Sequence, residues 1–364
     1  MKRRIIVIGS TGKLGIKLLN YCHKFNIEIF CITGFKNFKL LKKQSINFKI
    51  KNNFALSKKS EKQKFVTLLK KNSVDLIYFL DYGYYSIYYA NIFLQNNINS
   101  KIAIANKEMI IAGGNTLINK IRKTKNFLIP LDSEHFSLFN FDLKNKNLNK
   151  IYITASGGPF YFKKKVNLDN VNLKNVLRHP KWKMGINNSI DSSNFINKIL
   201  EIYEVSIIYD IDINKIDFLI SKEAYIHSVV VNNDNTININ CFENDMIIPL
   251  LKPLQFLYPD IFFRNKSTFM ISKMLKLEKF KDKRFKINKY LDIFKGLNDH
   301  KQISLMIFNN IAHKKYLKGE IKYNDILDYI MSKLNNVNSM INLNTINNRI
   351  KFIKLIEKKY DITN

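Results

Sequence analysis

The stretch "RIIVIGSTGKLG", residues 4–15, decides the fold class of this chain. Residues 4–8 are short, β-branched and uninterrupted, which is typical of a buried strand in a parallel sheet. Gly9, Gly12 and Gly15 follow at intervals of three, and an amphipathic segment, "IKLLNYCHKF", comes next. Glycines allow backbone N–H groups to approach a pyrophosphate at a helix N-terminus, so this order predicts a dinucleotide-binding turn. An ordinary tight strand–helix turn is the alternative.

Four more segments resemble buried strands and alternate with helical stretches, namely residues 27–33, 74–80, 101–105 and 127–131. Strands that alternate with helices predict an α/β fold with a doubly wound, Rossmann-type parallel sheet. The pattern changes after residue 130, where strand, loop and helix patterns are mixed, and again near residue 290, where it becomes helical. The sequence therefore predicts four parts: an NADPH-binding domain (1–130), a central α+β catalytic domain (131–258), a linker (259–289) and a small C-terminal helical domain (290–364).

Two local predictions concern the central part. The segment "HPKWKMGINNSID", residues 179–191, has no clear periodicity and is expected to be a long irregular loop. The segment "SSNFINKILEIYEVSIIY" has helical periodicity, and Ser192 or Ser193 is its expected N-cap. Residues 216–221, 224–232 and 236–242 alternate as antiparallel strands do.

The chain has 364 residues and a formal net charge of +31. That charge would suit a nucleic-acid surface, but only seven of the 60 basic residues are Arg, and the lysines are spread along the chain. Compositional drift in an AT-rich genome explains this better, so neither nucleic acid nor membrane is expected as a partner. Three cysteines without a CxxC motif favour a reducing compartment. The N-terminus runs directly into a predicted strand, so a cytoplasmic location without a targeting segment is expected.

The segment "CITGFKN" follows the second predicted strand and bears on the type of dinucleotide. NAD enzymes often carry an acidic residue there, which binds the ribose 2′-hydroxyl. Lys36 and Asn37 occupy this place, and a cation suits a 2′-phosphate, which favours NADPH over NADH. A solvated lysine is the alternative reading of Lys36. The segment "ANKE", residues 105–108, also follows a strand, and Lys107 could bind substrate or a carboxylate, or simply begin a helix.

The segment "IPLDSEHFSLF", residues 129–139, holds Asp132 and Glu134 two positions apart. In an extended segment both side chains would point the same way, and oxygen ligands at that spacing suit Mg²⁺ or Mn²⁺. A capped turn with salt bridges is the alternative for this pair alone. Glu201 supplies a third carboxylate. Asn197 and Lys198 precede it by four and three residues, so all three share one face of the predicted helix.

Two loops complete the set of motifs. The segment "TASGGPF", residues 154–160, offers a serine and two glycines, which suit either an anion-binding nest or a β-turn. The segment "HPKWKMG", residues 179–185, carries the only Trp of the chain and fits either a lid or a loop that plugs the core.

Together these segments resemble the 1-deoxy-D-xylulose 5-phosphate reductoisomerase family. The matching pieces occur in the family's order between residues 5 and about 255: "GSTGKLG", "ANKE", "PLDSEH", "TASGGPF", "HPKWKMG", "DSSNFINKILE", "IHSVV" and "DMIIPL". The last third resembles the family only in size and helical character. The resemblance implies rearrangement of 1-deoxy-D-xylulose 5-phosphate, a phosphorylated ketose, and its reduction to 2-C-methyl-D-erythritol 4-phosphate. It also implies NADPH, Mg²⁺ or Mn²⁺, and a homodimer.

The resemblance also implies roles for individual residues. The metal ligands would be Asp132, Glu134 and Glu201. Catalysis would involve Lys107, Glu134, His179 and Lys198. The substrate-binding set would comprise Ser133, Glu134, Ser156, His179, Trp182, Ser192, Asn197, Lys198 and Glu201, with Trp182 and Met184 in the lid. NADPH would contact Gly9, Ser10, Thr11, Gly12, Lys13, Leu14, Gly34, Lys36, Asn37, Asn106, Glu108, Gly185 and Met246.

Several positions depart from the family pattern. Lys13 and Phe35 stand where the family has small residues, and the nicotinamide-side loop "LDYGYYS", residues 80–86, retains only Gly83 of its small residues. Two alternatives to an active reductoisomerase therefore stay open. The chain could be a catalytically impaired remnant of the family, or another NADP-dependent dehydrogenase.

Overall fold

The computed structural model describes residues 3–178, 185–260 and 275–360. The chain forms two compact units, and each is built from two segments. Unit 1 contains residues 1–139 and 245–268, and unit 2 contains residues 140–244 and 269–364. Residues 245–258, which the sequence placed in the central catalytic part, thus pack with the N-terminal sheet. The finer division into four functional parts stays a prediction.

Unit 1 is built on a six-stranded parallel sheet in the order β3-β2-β1-β4-β5-β6. The strands are β1 (Ile5–Ile8), β2 (Cys31–Gly34), β3 (Asn52–Ala55), β4 (Leu76–Phe79), β5 (Lys101–Ile104) and β6 (Phe127–Pro130). This order reverses direction between β1 and β4, the place where doubly wound sheets bind ligands. The predicted α/β class with a Rossmann-type sheet is confirmed.

The sequence missed β3 because its residues, "NNFA", begin with two asparagines and lie at the edge of the sheet, where burial is incomplete. The helices of unit 1 are α1 (Lys13–Lys24), α2 (Phe38–Asn47), α3 (Lys59–Lys71), α4 (Ser86–Asn96), α5 (Lys107–Lys123), α6 (Ser133–Ser137) and α10 (Ile247–Gln255). Helix α10 joins the core beside α1, and the Tyr78 hydroxyl donates to the Leu250 carbonyl at 2.9 Å. This bond fixes the second segment of unit 1 to the middle of the sheet.

Unit 2 is built on a five-stranded mixed sheet in the order β10-β9-β7-β8-β11. Its strands are β7 (Leu148–Ala155), β8 (Ile216–Ile220), β9 (Ile226–Asn232), β10 (Ile237–Cys241) and β11 (Glu278–Lys279). The three predicted strands are present, but β8 pairs in parallel with β7. The antiparallel prediction is confirmed for β9 and β10, which pair with each other, whereas β8 is separated from β9 by β7 in the sheet. Strand β11 lies inside the predicted linker and pairs with β8.

The helices of unit 2 are α7 (Leu173–Val176), α8 (Ile186–Asn194), α9 (Ile196–Tyr209), α11 (Ile287–Lys295), α12 (Asp299–Leu317), α13 (Ile326–Leu334) and α14 (Ile346–Lys359). Helix α9 packs against β7 and β8, and α12 contacts α8, α13 and α14. The helical prediction for the last part of the chain is confirmed. In the part of the chain that the structure describes, no helix has both the length and the apolar character needed to cross a membrane.

Two predictions around α8 were wrong. Residues 186–191 are helical rather than irregular, and Ser192 and Ser193 lie inside α8 rather than at the start of α9. The separation occurs at Phe195, whose φ of 66° places it in the left-handed region. Helix α8 ends before Phe195, and α9 begins directly after it. Hydrophobic periodicity alone does not reveal a break at a bulky residue.

Candidate active site

The glycine-rich turn follows β1, and two of its glycines, Gly9 and Gly15, are packed so closely that no side chain would fit there. Gly9 has a φ of 83°, and a Cβ atom on it would lie 2.5 Å from the backbone nitrogen of Asp81. A Cβ on Gly15 would lie 2.5 Å from Cα of Ser10, so the start of α1 presses on the turn. Gly12 is the N-cap residue of α1. The first backbone N–H groups of a helix have no partner within the helix and attract anions.

The predicted cofactor residues of this turn are held from behind by β2 and α2. The amides of Gly9 and Ser10 donate to the Thr33 carbonyl at 3.1 and 2.8 Å. The Ser10 hydroxyl donates to Gln44 Oε1, and Gln44 Nε2 donates to the Ser10 carbonyl, both at 2.8 Å. Ser10 is therefore fully buried, and its hydroxyl faces the protein. Gly34 lies against Thr11, since a Cβ on Gly34 would meet the Thr11 methyl at 3.0 Å.

The segment after β2 bears on the predicted 2′-phosphate contact. Asn37 is the N-cap of α2, and its side chain accepts from the Leu40 amide at 3.2 Å. Lys36 is exposed, and its Nζ lies 5.9 Å from the centre of the exposed Phe35 ring. Lys36 thus stands at the carboxyl end of β2 with its ammonium group accessible to an anion.

The loop from Leu80 to Ser86 connects β4 to α4 and is tied to the start of α5. Asn106 caps α5 by accepting from the Met109 amide at 2.9 Å. Its Nδ2 donates to the Gly83 carbonyl at 2.8 Å and to Asp81 Oδ1 at 3.2 Å, and the Ser86 hydroxyl donates to Asp81 Oδ2. Asn106 was predicted to contact the cofactor, and the structure gives it this additional role in shaping the loop.

Asp81 is a functional candidate that the sequence reading missed. Burial raises the pKa of its carboxyl to about 6, and the hydrogen bonds from Ser86 and Asn106 lower the pKa only partly. Its position at the carboxyl end of β4, beside Gly9, was the available signal, because ligands bind at that end of such sheets.

The first predicted metal ligands lie directly after β6. Asp132 is the N-cap residue of α6 and Glu134 lies in its first turn, so the assumption of an extended segment was wrong. The Lys107 ammonium group lies 3.5 Å from Asp132 Oδ2, with side-chain exposures of 8% and 19%. The Ser133 hydroxyl donates to Glu134 Oε2 at 2.6 Å. Of the readings left open for Lys107, the structure contains two: the residue has a carboxylate partner, and it begins helix α5. Glu108, beside it, is buried in the first turn of α5.

The third predicted ligand lies in unit 2, on α9. Glu201 accepts from Asn197 Nδ2 and from Lys198 Nζ, and Lys198 Nζ also donates to the Thr154 carbonyl at 2.7 Å. The side chains of Lys198 and Glu201 are 8% and 2% exposed. The predicted helix face is therefore present, and its lysine connects α9 to the end of β7.

The loop that carries Ser156 contacts the helix that carries Ser192, the second predicted phosphate serine, in unit 2. Ser156 follows β7, and the two glycines after it have φ values of 88° and 59°. A Cβ on Gly158 would lie 2.9 Å from the Ser192 carbonyl oxygen, so only glycine allows this approach. Ser156, Ser192 and Asn197 are half-buried, whereas most of the residues around them are buried. These three polar side chains thus reach an accessible surface beside the glycine turn.

Seven further residues were predicted to belong to the site. His179 and Trp182, with Met184 of the predicted lid, lie outside the described residues. Gly185 is exposed and is the N-cap residue of α8. Met246 is the N-cap residue of α10 in unit 1 and is half-buried. In the glycine-rich turn, Lys13 is exposed and Leu14 packs partly on the core of unit 1.

His227 on β9 was part of a quoted motif, but the sequence reading gave it no role. It is buried, and its ring stacks on Phe242 with 3.8 Å between centroids. Its Nε2 lies 3.3 Å from the Phe242 carbonyl oxygen. His227 on β9 thus packs against the residue that follows β10. This packing role is sufficient to explain why a histidine is buried there.

The donor set of the predicted metal site consists of carboxylate oxygens: Asp132 and Glu134 from unit 1, and Glu201 from unit 2. Such hard oxygen donors fit Mg²⁺ and Mn²⁺ and suit soft metals poorly. Carboxylates that already neighbour lysine and amide groups also have their side chains oriented before any ion binds. The residues present therefore fit a divalent ion of this class.

Comparisons with known proteins agree with these features. A model of the 1-deoxy-D-xylulose 5-phosphate reductoisomerase C-terminal domain matches residues 128–209. The 1-deoxy-D-xylulose 5-phosphate reductoisomerase of Pelagibacter ubique is 30% identical over 353 residues, covering 92% of this chain and 91% of that protein.

Solved structures show the same fold. The reductoisomerase of Zymomonas mobilis in complex with NADPH superposes with a TM-score of 0.80 at 22% identity, over 98% of this chain and 100% of that chain. A reductoisomerase in complex with NADPH, fosmidomycin and magnesium gives 0.82 at 22% identity, over 99% and 98% of the two chains. From its similarity to curated relatives over almost its whole length, this chain belongs to the 1-deoxy-D-xylulose 5-phosphate reductoisomerase family.

Proposed function

We propose that this chain converts 1-deoxy-D-xylulose 5-phosphate to 2-C-methyl-D-erythritol 4-phosphate, with NADPH as hydride donor and Mg²⁺ or Mn²⁺ as the divalent ion. The observation that carries the proposal is the arrangement around Glu201, where a buried carboxylate is held by Asn197 and Lys198. A structural relative contains NADPH, fosmidomycin and magnesium, which agrees with the cofactors proposed here.

Asp132, Glu134 and Glu201 are the proposed metal ligands. A bound divalent ion acts as a Lewis acid that stabilises the negative charge developing on substrate oxygens. The chain's own contribution is to orient the ligands. Lys107 neighbours Asp132, Ser133 donates to Glu134, and Lys198 donates to Glu201. Such second contacts orient metal ligands and typically change metal affinity about 10- to 100-fold when removed.

The substrate phosphate is proposed to bind at Ser156 and Ser192, with Asn197 and Lys198 close to it. Two observations support this proposal: Gly158, in the loop of Ser156, contacts the Ser192 backbone, and both serines are half-buried. Lys198 bonds both Glu201 and the Thr154 carbonyl, so one side chain connects the phosphate loop to the metal-ligand helix. Phosphate binding away from the reacting carbons supplies orientation for the chemistry.

The other end of the substrate is proposed to lie at Lys107 and Ser133. Lys107 would place a cation beside the oxygen charge that develops during the reaction, and its ammonium group lies 3.5 Å from Oδ2 of the proposed metal ligand Asp132. His179 and Trp182 are proposed to close over the bound substrate as part of a lid, a role that rests on the family motif "HPKWKMG". Loop closure would keep water away from the enolate-like species that forms when the carbon–carbon bond breaks.

The cofactor is proposed to bind across unit 1. The pyrophosphate would lie at the N-terminus of α1, beside residues 9–14, and Lys36 would pair with the 2′-phosphate. Asn37 and Gly34 would line the same end of β2. Met246 would lie near the nicotinamide, and Asn106, Glu108 and Gly185 would be further contacts of NADPH. NADPH bound there would supply the hydride that reduces the aldehyde left after skeletal rearrangement by retro-aldol cleavage and re-addition.

A homodimer in a reducing, cytoplasmic compartment is proposed as the working form. The dimer rests on the family resemblance. The compartment rests on the cysteines, because Cys22, Cys31 and Cys241 are all free thiols.

The test is NADPH oxidation followed by absorbance, with 1-deoxy-D-xylulose 5-phosphate, in the presence of Mg²⁺, Mn²⁺ or EDTA. Mass spectrometry of the product and a parallel run with NADH complete the assay. We expect oxidation that requires the divalent ion and the phosphorylated ketose, prefers NADPH, and gives a polyol phosphate two mass units heavier than the substrate, since one hydride and one proton are added.

Two results would contradict the proposal. A folded protein that binds NADPH but gives no oxidation under any metal condition would be an impaired remnant of the family. Oxidation that proceeds equally well in EDTA, or only with other carbonyl substrates, would identify a different NADP-dependent dehydrogenase.

A further inference from the structure

A buried polar cluster in unit 2 has no part in the mechanism above. Asp191 on α8 accepts from Asn309 Nδ2 at 2.7 Å, and Nε2 of His313 lies 2.9 Å from the same carboxylate oxygen. The His313 ring is not oriented for a linear hydrogen bond, so its contact with Asp191 is a close polar pair by distance. All three residues are buried, and both partners of Asp191 lie on α12.

The place of Asp191 in the chain gives the cluster its significance. The next residue is Ser192, one of the proposed phosphate ligands, and it is half-buried between buried neighbours. Helix α8 has nine residues and ends at the left-handed Phe195. So short a helix has little stability of its own and depends on packing to fix its position. The contacts from α12 are therefore among those that fix the position of Ser192.

The opposite side of Ser192 is equally constrained. Gly158, in the loop that carries Ser156, contacts the Ser192 carbonyl so closely that a Cβ would lie 2.9 Å from it. The same loop is attached to the C-terminal helices, because the buried Phe160 ring packs edge-on against Tyr323 with 5.7 Å between centroids. Both serine segments are thus fixed to one helical layer.

We propose that Asp191, Asn309 and His313 form an anchor through which helix α12 positions Ser192 for the substrate phosphate. His313 is a positioning residue in this inference, since it acts through Asp191 and α8 and touches no substrate. The inference rests on the proposed function, because it takes the phosphate of 1-deoxy-D-xylulose 5-phosphate as the group that Ser192 binds. It assigns to the C-terminal helices a part in substrate recognition.

A role in stability alone explains the cluster of Asp191, Asn309 and His313 less completely than a role in positioning Ser192. A buried carboxylate requires polar partners, and an apolar group of similar volume in its place would be no worse for stability. A polar network is more directional than apolar packing, since its members fix distance and angle together. That property is useful where a ligand-binding side chain follows immediately in the chain.

The test compares three variants of the full-length protein. His313→Leu removes the ring nitrogen from Asp191, and His313→Gln restores a donor at a similar reach. His300→Leu is the matched control, because His300 is also on α12, is half-buried, and has its Nε2 2.8 Å from the Ile341 carbonyl oxygen rather than facing α8. Affinity for 1-deoxy-D-xylulose 5-phosphate is measured by calorimetry with Mg²⁺ and saturating NADP⁺, which cannot donate hydride, and KM and kcat are measured with NADPH.

We expect His313→Leu to weaken binding of the substrate and raise its KM about tenfold, because the buried Asp191 carboxylate loses its close polar neighbour and α8 is held less firmly. The KM for NADPH should stay within about twofold, since the variant leaves unit 1 unchanged. His313→Gln should recover most of the affinity, and His300→Leu should bind the substrate as the wild type does. Thermal unfolding of all four proteins shows how much each variant is destabilised.

The outcomes separate the inference from the function on which it rests. Equal substrate affinity in His313→Leu and His300→Leu, at similar thermal stability, would overturn the anchor. Wild-type protein that binds the substrate but does not oxidise NADPH would contradict the proposed function, and the three affinities would still decide the anchor. Wild-type protein that does not bind the substrate would overturn both.

Discussion

Each unit of this chain holds a lysine–carboxylate pair among its proposed active-site residues, and the two pairs are built differently. In unit 2, Lys198 and Glu201 are three residues apart on one helix and are almost completely buried. In unit 1, Lys107 begins α5 and Asp132 follows β6, so 25 positions of sequence separate them, and Asp132 is 19% exposed. One pair depends on local helix geometry and the other on the order of strands in a sheet.

This difference has an energetic consequence. A buried charge without a partner is costly, so loss of one member of the α9 pair leaves a strongly destabilising residue behind. Asp132 retains contact with water, which solvates a carboxylate left without its lysine. The α9 pair should therefore tolerate substitution less well, both in stability and in the chemistry that depends on Glu201.

The largest expected effect is that of Glu201→Gln on metal-dependent activity. The substitution keeps the size of the side chain and removes its negative charge. This change weakens the proposed metal binding and removes the ion pair with Lys198. We expect kcat to fall about 100- to 1,000-fold, with a higher Mg²⁺ concentration needed for half-maximal rate. Steady-state NADPH oxidation across a Mg²⁺ titration measures both quantities.

Glu204→Gln is the control for this prediction. Glu204 is buried on the same helix, one turn further on, and it is not among the proposed ligands. It should keep the wild-type Mg²⁺ dependence even where it costs stability. A Glu201→Gln protein within about threefold of the wild-type rate, in the same assay, would remove Glu201 from the proposed ligand set.

A direct comparison of the two lysines comes next in size. Lys198→Gln leaves Glu201 buried without its cation, and we expect a loss of about 3 kcal/mol in the free energy of unfolding. Lys107→Gln leaves the partly exposed Asp132 without its cationic partner, and we expect a loss of about 1 kcal/mol in the free energy of unfolding. Urea denaturation of the metal-free proteins measures both losses.

Lys315→Gln provides the reference for an exposed pair. Lys315 lies 2.6 Å from Glu320 at the surface, and its loss should leave the urea midpoint unchanged. Equal losses for Lys198→Gln and Lys107→Gln, or a larger loss for the latter, would show that burial does not distinguish the two pairs.

The two pairs also show which parts of the site the sequence could predict. Asn197, Lys198 and Glu201 follow helical spacing, so their common face was predictable, and the structure contains the bonds between them. The contact between Lys107 and Asp132 requires β5 and β6 to be neighbours, which the spacing of the residues does not encode. Lys107 follows the end of a predicted strand, and this position was enough to suggest a carboxylate partner. It was not enough to identify that partner as Asp132.

The errors have physical causes of the same kind. Ser192 has the chemistry of an N-cap residue, but the helix break occurs at Phe195, because tertiary packing fixes a buried aromatic residue in the left-handed region. The strand pattern predicted the Rossmann-type sheet and missed only the polar edge strand β3. Residues 245–258 pack on unit 1 although they follow the mixed sheet in sequence, and no local pattern reports such a return.

The smallest expected effect concerns Asp81, a half-buried residue whose hydrogen-bond donors, Ser86 and Asn106, are neutral. Burial raises its pKa from 3.8 to about 6. The folded state therefore holds a proton that the unfolded chain releases near pH 4, so this group's contribution to stability decreases as pH rises from about 4 to about 6. Asp81→Asn should lack this decrease. The difference in unfolding free energy between the two proteins should grow by on the order of 1 kcal/mol across that interval, which is less than the roughly 3 kcal/mol that the full pKa shift would give, because solvent screens a half-buried residue.

Urea unfolding at a series of pH values from about 4 to about 7.5 measures this difference, and Ser86→Ala sharpens it. The hydrogen bond from Ser86 lowers the pKa of Asp81, so its removal should move the loss of stability to higher pH. A difference between wild type and Asp81→Asn that is constant over the whole range would mean that Asp81 ionises at its ordinary pKa. The Asp81 carboxyl would then be solvated, as the partly exposed Asp132 is. A cationic partner would therefore not be the feature that distinguishes the lysine-paired carboxylates of the two units from a carboxyl that is hydrogen-bonded only by neutral groups.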